Sequence, residues 1–83
     1  MTTLNQISEW FDRAKEEENA THMLIVCDTF DYEDYPVVVH KGTDIKKKVL
    51  EYNNRKNMTK VMEVYDLSQD KEEQLGQFRS LNY

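Results

Sequence analysis

Apolar residues recur along the chain in two rhythms. Between Thr3 and Asn19, Leu4, Ile7, Phe11 and Ala14, with Trp10 beside them, follow the three-then-four spacing of one amphipathic helix. Thr3 stands at the N-cap position, and Gln6 follows at the spacing of a capping box. The rhythm then changes. His22-Met-Leu-Ile-Val-Cys-Asp28 is apolar without interruption and β-branched in its middle, the pattern of a strand covered on both faces. Pro36-Val-Val-Val-His40 predicts a second strand, with Pro36 at its start, where a missing donor matters least. The segment between them, Thr29 to Tyr35, is short enough for a hairpin-type connection.

After Gly42, Thr43 or Asp44 caps a second helix reaching to about Lys56, with Ile45, Val49 and Tyr52 along one face. Val61-Met-Glu-Val-Tyr65 predicts a third strand. Ser68 or Asp70 then caps a last helix, with Glu73 at the box spacing from Asp70, Leu75 and Phe78 as anchors, and Leu81 trailing behind. The order α-β-β-α-β-α predicts an α/β (α+β) fold around a three-stranded mixed sheet of spatial order 2-1-3. Strand one takes the centre because it alone is apolar on both faces, and the second helix crosses over to return strand three antiparallel to it. Three helices exceed what one face of three strands holds, so at least one covers the second face or a sheet end. With no repeat or linker, residues 1–83 form a single domain.

Size and composition narrow this picture. An 83-residue chain builds one core, with a net stability on the order of a few kcal/mol. Hydrophobic residues at 39% and aromatics at 11% make it globular despite 33% charged residues. No run approaches the roughly 18–20 apolar residues that cross a bilayer, and Met1 to Glu18 lacks the layout of a signal peptide. A single cysteine, Cys27, excludes an intramolecular disulfide. The expected compartment is the cytoplasm, where the Asn-x-Thr triplets at Asn19 and Asn57 are chance matches.

Charge alters the picture more. The net charge of −5 disfavours sequence-independent binding to nucleic acid or an anionic membrane. That total is unevenly spread: residues 9–34 carry nine acids against two bases, and residues 41–60 carry seven bases against two acids. The basic block includes Lys41, Lys46, Lys47, Lys48, Arg55, Lys56 and Lys60, which on a helix cannot all share one face. They read as the wet side of the second helix, or as a site for phosphate or for an acidic patch on a second copy.

The most distinctive stretch is Cys27-Asp-Thr-Phe-Asp-Tyr-Glu-Asp-Tyr35, where Asp28, Asp31, Glu33 and Asp34 interleave with Phe30, Tyr32 and Tyr35. Tyrosines give large contact area at low entropy cost, and neighbouring carboxylates select a basic partner and speed encounter. The same acids also suit a solvated hairpin that keeps an edge soluble, or a nucleic-acid mimic. An enzyme reading takes Asp28 and Asp31 as hard oxygen ligands for a magnesium-dependent phosphoryl or nucleotide reaction. Against it, phosphohydrolases of the haloacid-dehalogenase type place their aspartates two apart and follow with Gly and Thr, and EF-hand loops need a central Gly. His22, Cys27 and His40 are the only soft or borderline ligands. His22 and Cys27 lie about 17 Å apart along a strand, too far for one zinc or a Cys–His nucleophile. Cys27, Met23, Met58, Met62 and Trp10 read as core filling, with Trp10 large enough to reach the surface.

The segment Thr21-His-Met-Leu-Ile-Val-Cys-Asp-Thr-Phe-Asp-Tyr-Glu-Asp-Tyr-Pro-Val-Val-Val, together with Met-Glu-Val-Tyr-Asp-Leu at 62–67, resembles short uncharacterised proteins of bacteria and their phages. The likeness covers most of the chain from residue 20 onward. It implies a bacterial or phage cytoplasmic protein and transfers no activity and no site residue. By analogy alone, small acidic phage proteins often bind and inhibit a host enzyme. The expectation is therefore a non-enzymatic protein-binding domain, an inhibitor or adaptor. Asp28, Asp31, Tyr32, Glu33, Asp34 and Tyr35 make up its contact surface, with no catalytic residue, metal or cofactor. Its partner is a protein with a basic surface, and strand 37–39, a sheet edge, offers a second route by strand addition or homodimer formation.

Overall fold

A computed structural model describes residues 3–53, 56, 58–77 and 81–82. The elements are α1 (Leu4–Glu16), β1 (Ala20–Asp28), β2 (Glu33–His40), α2 (Ile45–Tyr52), β3 (Thr59–Asp66) and α3 (Lys71–Leu75). The three strands form one sheet in the order β2-β1-β3. Both hydrogen-bonded ladders are antiparallel, so the sheet is not mixed in its pairing. β2 and β3 run in the same direction but never meet, because the α2 crossover carries the chain past β1.

β1 holds the centre for the reason its sequence predicts. Met23, Leu24, Ile25 and Val26 are all buried, which needs cover on both faces. Met23 and Ile25 join Ile7, Phe11 and Ala14 of α1, with Tyr65 and Leu67, in one cluster. Leu24 and Val26 join Val39, Val61 and Val64 beneath Val49 of α2 in the other. The two clusters are the two sides of one sheet. Trp10 is half-buried against the α1 cluster. Phe11 meets Tyr65 edge-on, with ring centroids 6.2 Å apart.

Ends and joints follow local chemistry. Thr3 Oγ1 accepts from the Gln6 amide at 3.2 Å, and Asp44 and Asp70 cap α2 and α3 in the same way. The first helix ends at Glu16, short of Asn19, where three successive glutamates face the negative end of the helix dipole. Gly42 takes φ 95°, a backbone that side chains resist, as the chain leaves β2. α2 ends at Tyr52 and not near Lys56. The Asn53 side chain there accepts from the Val61 amide at 2.8 Å, and Thr59 Oγ1 donates to the Tyr52 carbonyl at 2.6 Å, turning the chain into β3. Phe78, an expected anchor, lies outside the described residues. Leu81 bridges to Val64, and the Asn82 amide donates to the Val64 carbonyl at 2.9 Å. The outer edge of β3 is thus partly occupied, whereas β2 forms the other edge of the sheet.

Candidate functional site

β2 begins at Glu33, three residues before the strand start expected at Pro36. The connection therefore shrinks to Thr29–Tyr32, closed by the pair Asp28↔Glu33. Asp28 builds this tip. Its Oδ1 accepts from the Phe30 amide at 2.8 Å and the Asp31 amide at 3.3 Å, while its carbonyl accepts from the Tyr32 amide at 2.7 Å. Such local side-chain-to-backbone bonding is what aspartate does well at the start of a turn. Tyr32 closes the turn at φ 57°, in the left-handed region. From the other side, the Thr29 amide donates at 2.8 Å to the carbonyl of Met58, itself at φ 54°.

The predicted contact residues separate accordingly. Asp31, Tyr32 and Glu33 are exposed at the tip. Asp34 and Tyr35 lie along the strand and are half-buried, so they belong to the scaffold more than to the connection. Successive strand residues face opposite sides, so Glu33 and Tyr35 lean to the α2 face and Asp34 to the α1 face. Tyr35 packs against the cluster under α2, and burial followed by the proximity of Tyr52 and Asp28 pushes its phenol pKa up. Asp34 pairs in register with Cys27, whose thiol is pushed up by burial, by hydrogen bonding to Asp34 and by nearby carboxylates. A thiol shifted that way is a poor nucleophile.

Asp28 and Asp31 are joined through one backbone amide, which draws on Asp28 as a turn former. Among the described residues, no three His, Cys, Asp or Glu side chains converge as a metal-binding group. His22 and His40 sit at the same end of the hairpin, as their spacing predicts. They are engaged separately, His22 Nδ1 with Thr21 Oγ1 at 3.0 Å and His40 Nε2 with Glu17 at 3.3 Å.

Phe30, absent from the predicted contact residues, is a main feature of the site: it is 71% exposed, beside Tyr32 at 77%. Met58, read as core filling, is 46% exposed on the adjoining loop. The signal for Phe30 was present, since an apolar residue in the short connection between two strands has no strand face to occupy. Beside the tip, an open cleft of about 410 Å³ is lined by Thr29, Asn53, Met58, Thr59 and Lys60. Asn53 Oδ1 and the Thr59 hydroxyl proton are committed to backbone bonds there, which leaves the Asn53 amide group, Thr29 and Lys60 as its polar lining.

Among the described residues, every buried side-chain polar atom has a partner. Buried Gln74 of α3 receives the Asp66 amide and the Asn82 side chain on Oε1, and donates from Nε2 to the Asp66 and Asp70 carbonyls. Tyr65 donates to Glu63, and both burial and that bond drive its phenol far above the usual tyrosine range. No helix among the described residues is long and apolar enough to cross a membrane. No protein-family model, curated protein or solved structure matches the chain.

Proposed function

We propose that this chain is a non-enzymatic protein-binding domain that presents the hairpin tip Phe30–Glu33 to a basic protein surface. The observation that carries the reading is the pair of aromatic side chains, Phe30 and Tyr32, 71% and 77% exposed on a turn tied down on both sides. Two large apolar groups held in water have an outlet in a partner's pocket, and a pre-ordered turn lowers the entropy lost on binding. The flanking carboxylates of Asp31 and Glu33 are exposed and give the partner its sign of charge. Strand addition along Val37–Val39 is the weaker route, because Pro36 removes a donor from the middle of β2.

The test is capture of partners from a bacterial lysate, comparing wild type with Phe30→Ser/Tyr32→Ser and with Asp31→Ser/Glu33→Ser. The expected result is a partner held by wild type, lost from the aromatic variant, and weakened by added salt. Equal recovery by all three proteins would remove the tip from the binding surface.

A further inference from the structure

Away from the tip, another exposed apolar side chain stands among charges of the opposite sign. Leu50 on α2 is 71% exposed. Lys46 and Lys47 lie four and three residues before it, so all three share the outer face of that helix. Neither lysine forms an ion pair with a described residue, whereas Lys48 pairs with the exposed Glu51 at 3.8 Å and lies over the Tyr52 ring at 5.6 Å. The tip lies at the finish of β1. The two lysines occupy the first turn of α2, which the chain enters from the opposite end of the sheet, where the Lys41 amide bonds to the Asn19 carbonyl. Acids stand at that end as well: Asp44 caps α2, its Oδ1 accepting from the Lys46 and Lys47 amides, Asp66 closes β3, and Glu16 to Glu18 end and follow α1, with Glu17 held by His40.

We infer that the tip of one chain docks on the outer face of α2 of a second copy, Phe30 and Tyr32 meeting Leu50 while Asp31 and Glu33 meet Lys46 and Lys47. The inference rests on the tip being a protein-contact surface and names its occupant. Charge complementarity selects that occupant: the chain carries both halves of the match, an acidic aromatic tip and a basic apolar helix face. Two different surfaces meet, so the contact is heterologous and leaves one tip and one helix open on every complex. Association then continues into short head-to-tail chains. The contact engages only a few side chains of each copy, which puts it among weak, transient interfaces that protein at about 1 mM is needed to populate.

Sedimentation velocity or NMR diffusion from about 20 μM to 1 mM, at roughly 20 and 300 mM salt, reads it out. The mean mass rises with concentration at low salt and returns to the monomer at high salt. Phe30→Ser/Tyr32→Ser and Lys46→Glu/Lys47→Glu each abolish the rise when alone, with circular dichroism confirming the fold. Mixed together they form a dimer that grows no further, since one supplies the only intact helix face and the other the only intact tip. Self-association of either variant alone at the wild-type level, as pairing along β2 would give, overturns the inference. So does a mixture that stays monomeric, or a wild type monomeric at 1 mM. A monomeric wild type that still captures a lysate partner through the tip removes this inference alone; loss of both removes the tip reading as well.

Discussion

Replacing Tyr32 with Gly separates folding from binding at the tip. The side chain is 77% exposed, so removing it forfeits little buried surface, well under the 1.5–3 kcal/mol of a fully buried large apolar group. The backbone sits at φ 57°, where a side chain costs about 1 kcal/mol and glycine costs nothing. Against that relief stands the greater entropy of glycine in the unfolded chain, roughly 0.5–1 kcal/mol. The three contributions nearly cancel, so the variant stays within about 1 kcal/mol of wild type. Tyr32→Asn, which tolerates the left-handed region without the full entropy cost, is neutral or more stable. Urea unfolding followed by circular dichroism measures both variants, and partner capture measures binding, which both lose. A loss of more than about 2 kcal/mol in either would make Tyr32 a structural residue and refute the argument that its side chain is spare to the fold.

Other perturbations follow from the same geometry. Gln74→Ala strips the bonds from the Asp66 amide and carbonyl and from Asn82, and at about 1–3 kcal/mol per stranded buried group it lowers stability by at least ~2 kcal/mol; exposed Gln69→Ala, measured in the same urea series, changes almost nothing. The raised phenol of Tyr65 keeps its proton in the folded chain, so its contribution is fully present below the ordinary tyrosine pKa of about 10 and is lost as pH climbs further, at up to ~1.4 kcal/mol per pH unit; Tyr65→Phe flattens that alkaline fall in a stability–pH series. Asp28→Ala frees the Phe30 and Asp31 amides to exchange with solvent and weakens tip binding, whereas Asp28→Asn, which retains an acceptor oxygen, preserves both; equal amide exchange in the two variants would dissociate Asp28 from the turn. Millimolar magnesium leaves the melting temperature unchanged, because Asp28 is committed to the turn; a shift that Asp28→Asn or Asp31→Asn abolishes would favour the phosphoryl-transfer alternative instead.

Much of the fold was legible because it rests on periodicity. The unbroken apolar run of β1 required two covered faces, and from that follow its central place and the need for a helix on each side. Boundaries were less legible. Glu33, Asp34 and Tyr35 read as connection because acids and turn residues cluster there, yet the ladder opposite Cys27 and Asp28 carries β2 on to Glu33. Pairing with a long central strand outweighed local propensity. The bulge at Val26 was equally hidden: the register shifts there, leaving Met62 as the extra residue of β3 and letting both Met62 and Glu63 lean to the α1 face, where Glu63 can meet Tyr65. At the site, the sequence identified the segment but not its division of labour. That division depends on which aspartate turns inward to hold the loop, and only coordinates separate Asp28 from Asp31.

That division bears on whether the tip is more than a solvated turn. Among the described residues, no buried side-chain polar atom lacks a partner. Of the three non-glycine residues in left-handed backbone among the described residues, Tyr32 and Met58 sit on adjoining loops at one end of the sheet, tied together by the Thr29–Met58 bond. The third, Asn19 at φ 64°, is of a type that tolerates that region and stands at the other end. A hairpin kept only for solubility is best served by Gly or Asn at position 32, each of which removes strain and exposed apolar surface in one step. Holding a tyrosine there gains the fold nothing over Asn, and it costs an aromatic ring left in water. The return on that cost lies outside the folded monomer, in whatever surface covers the ring.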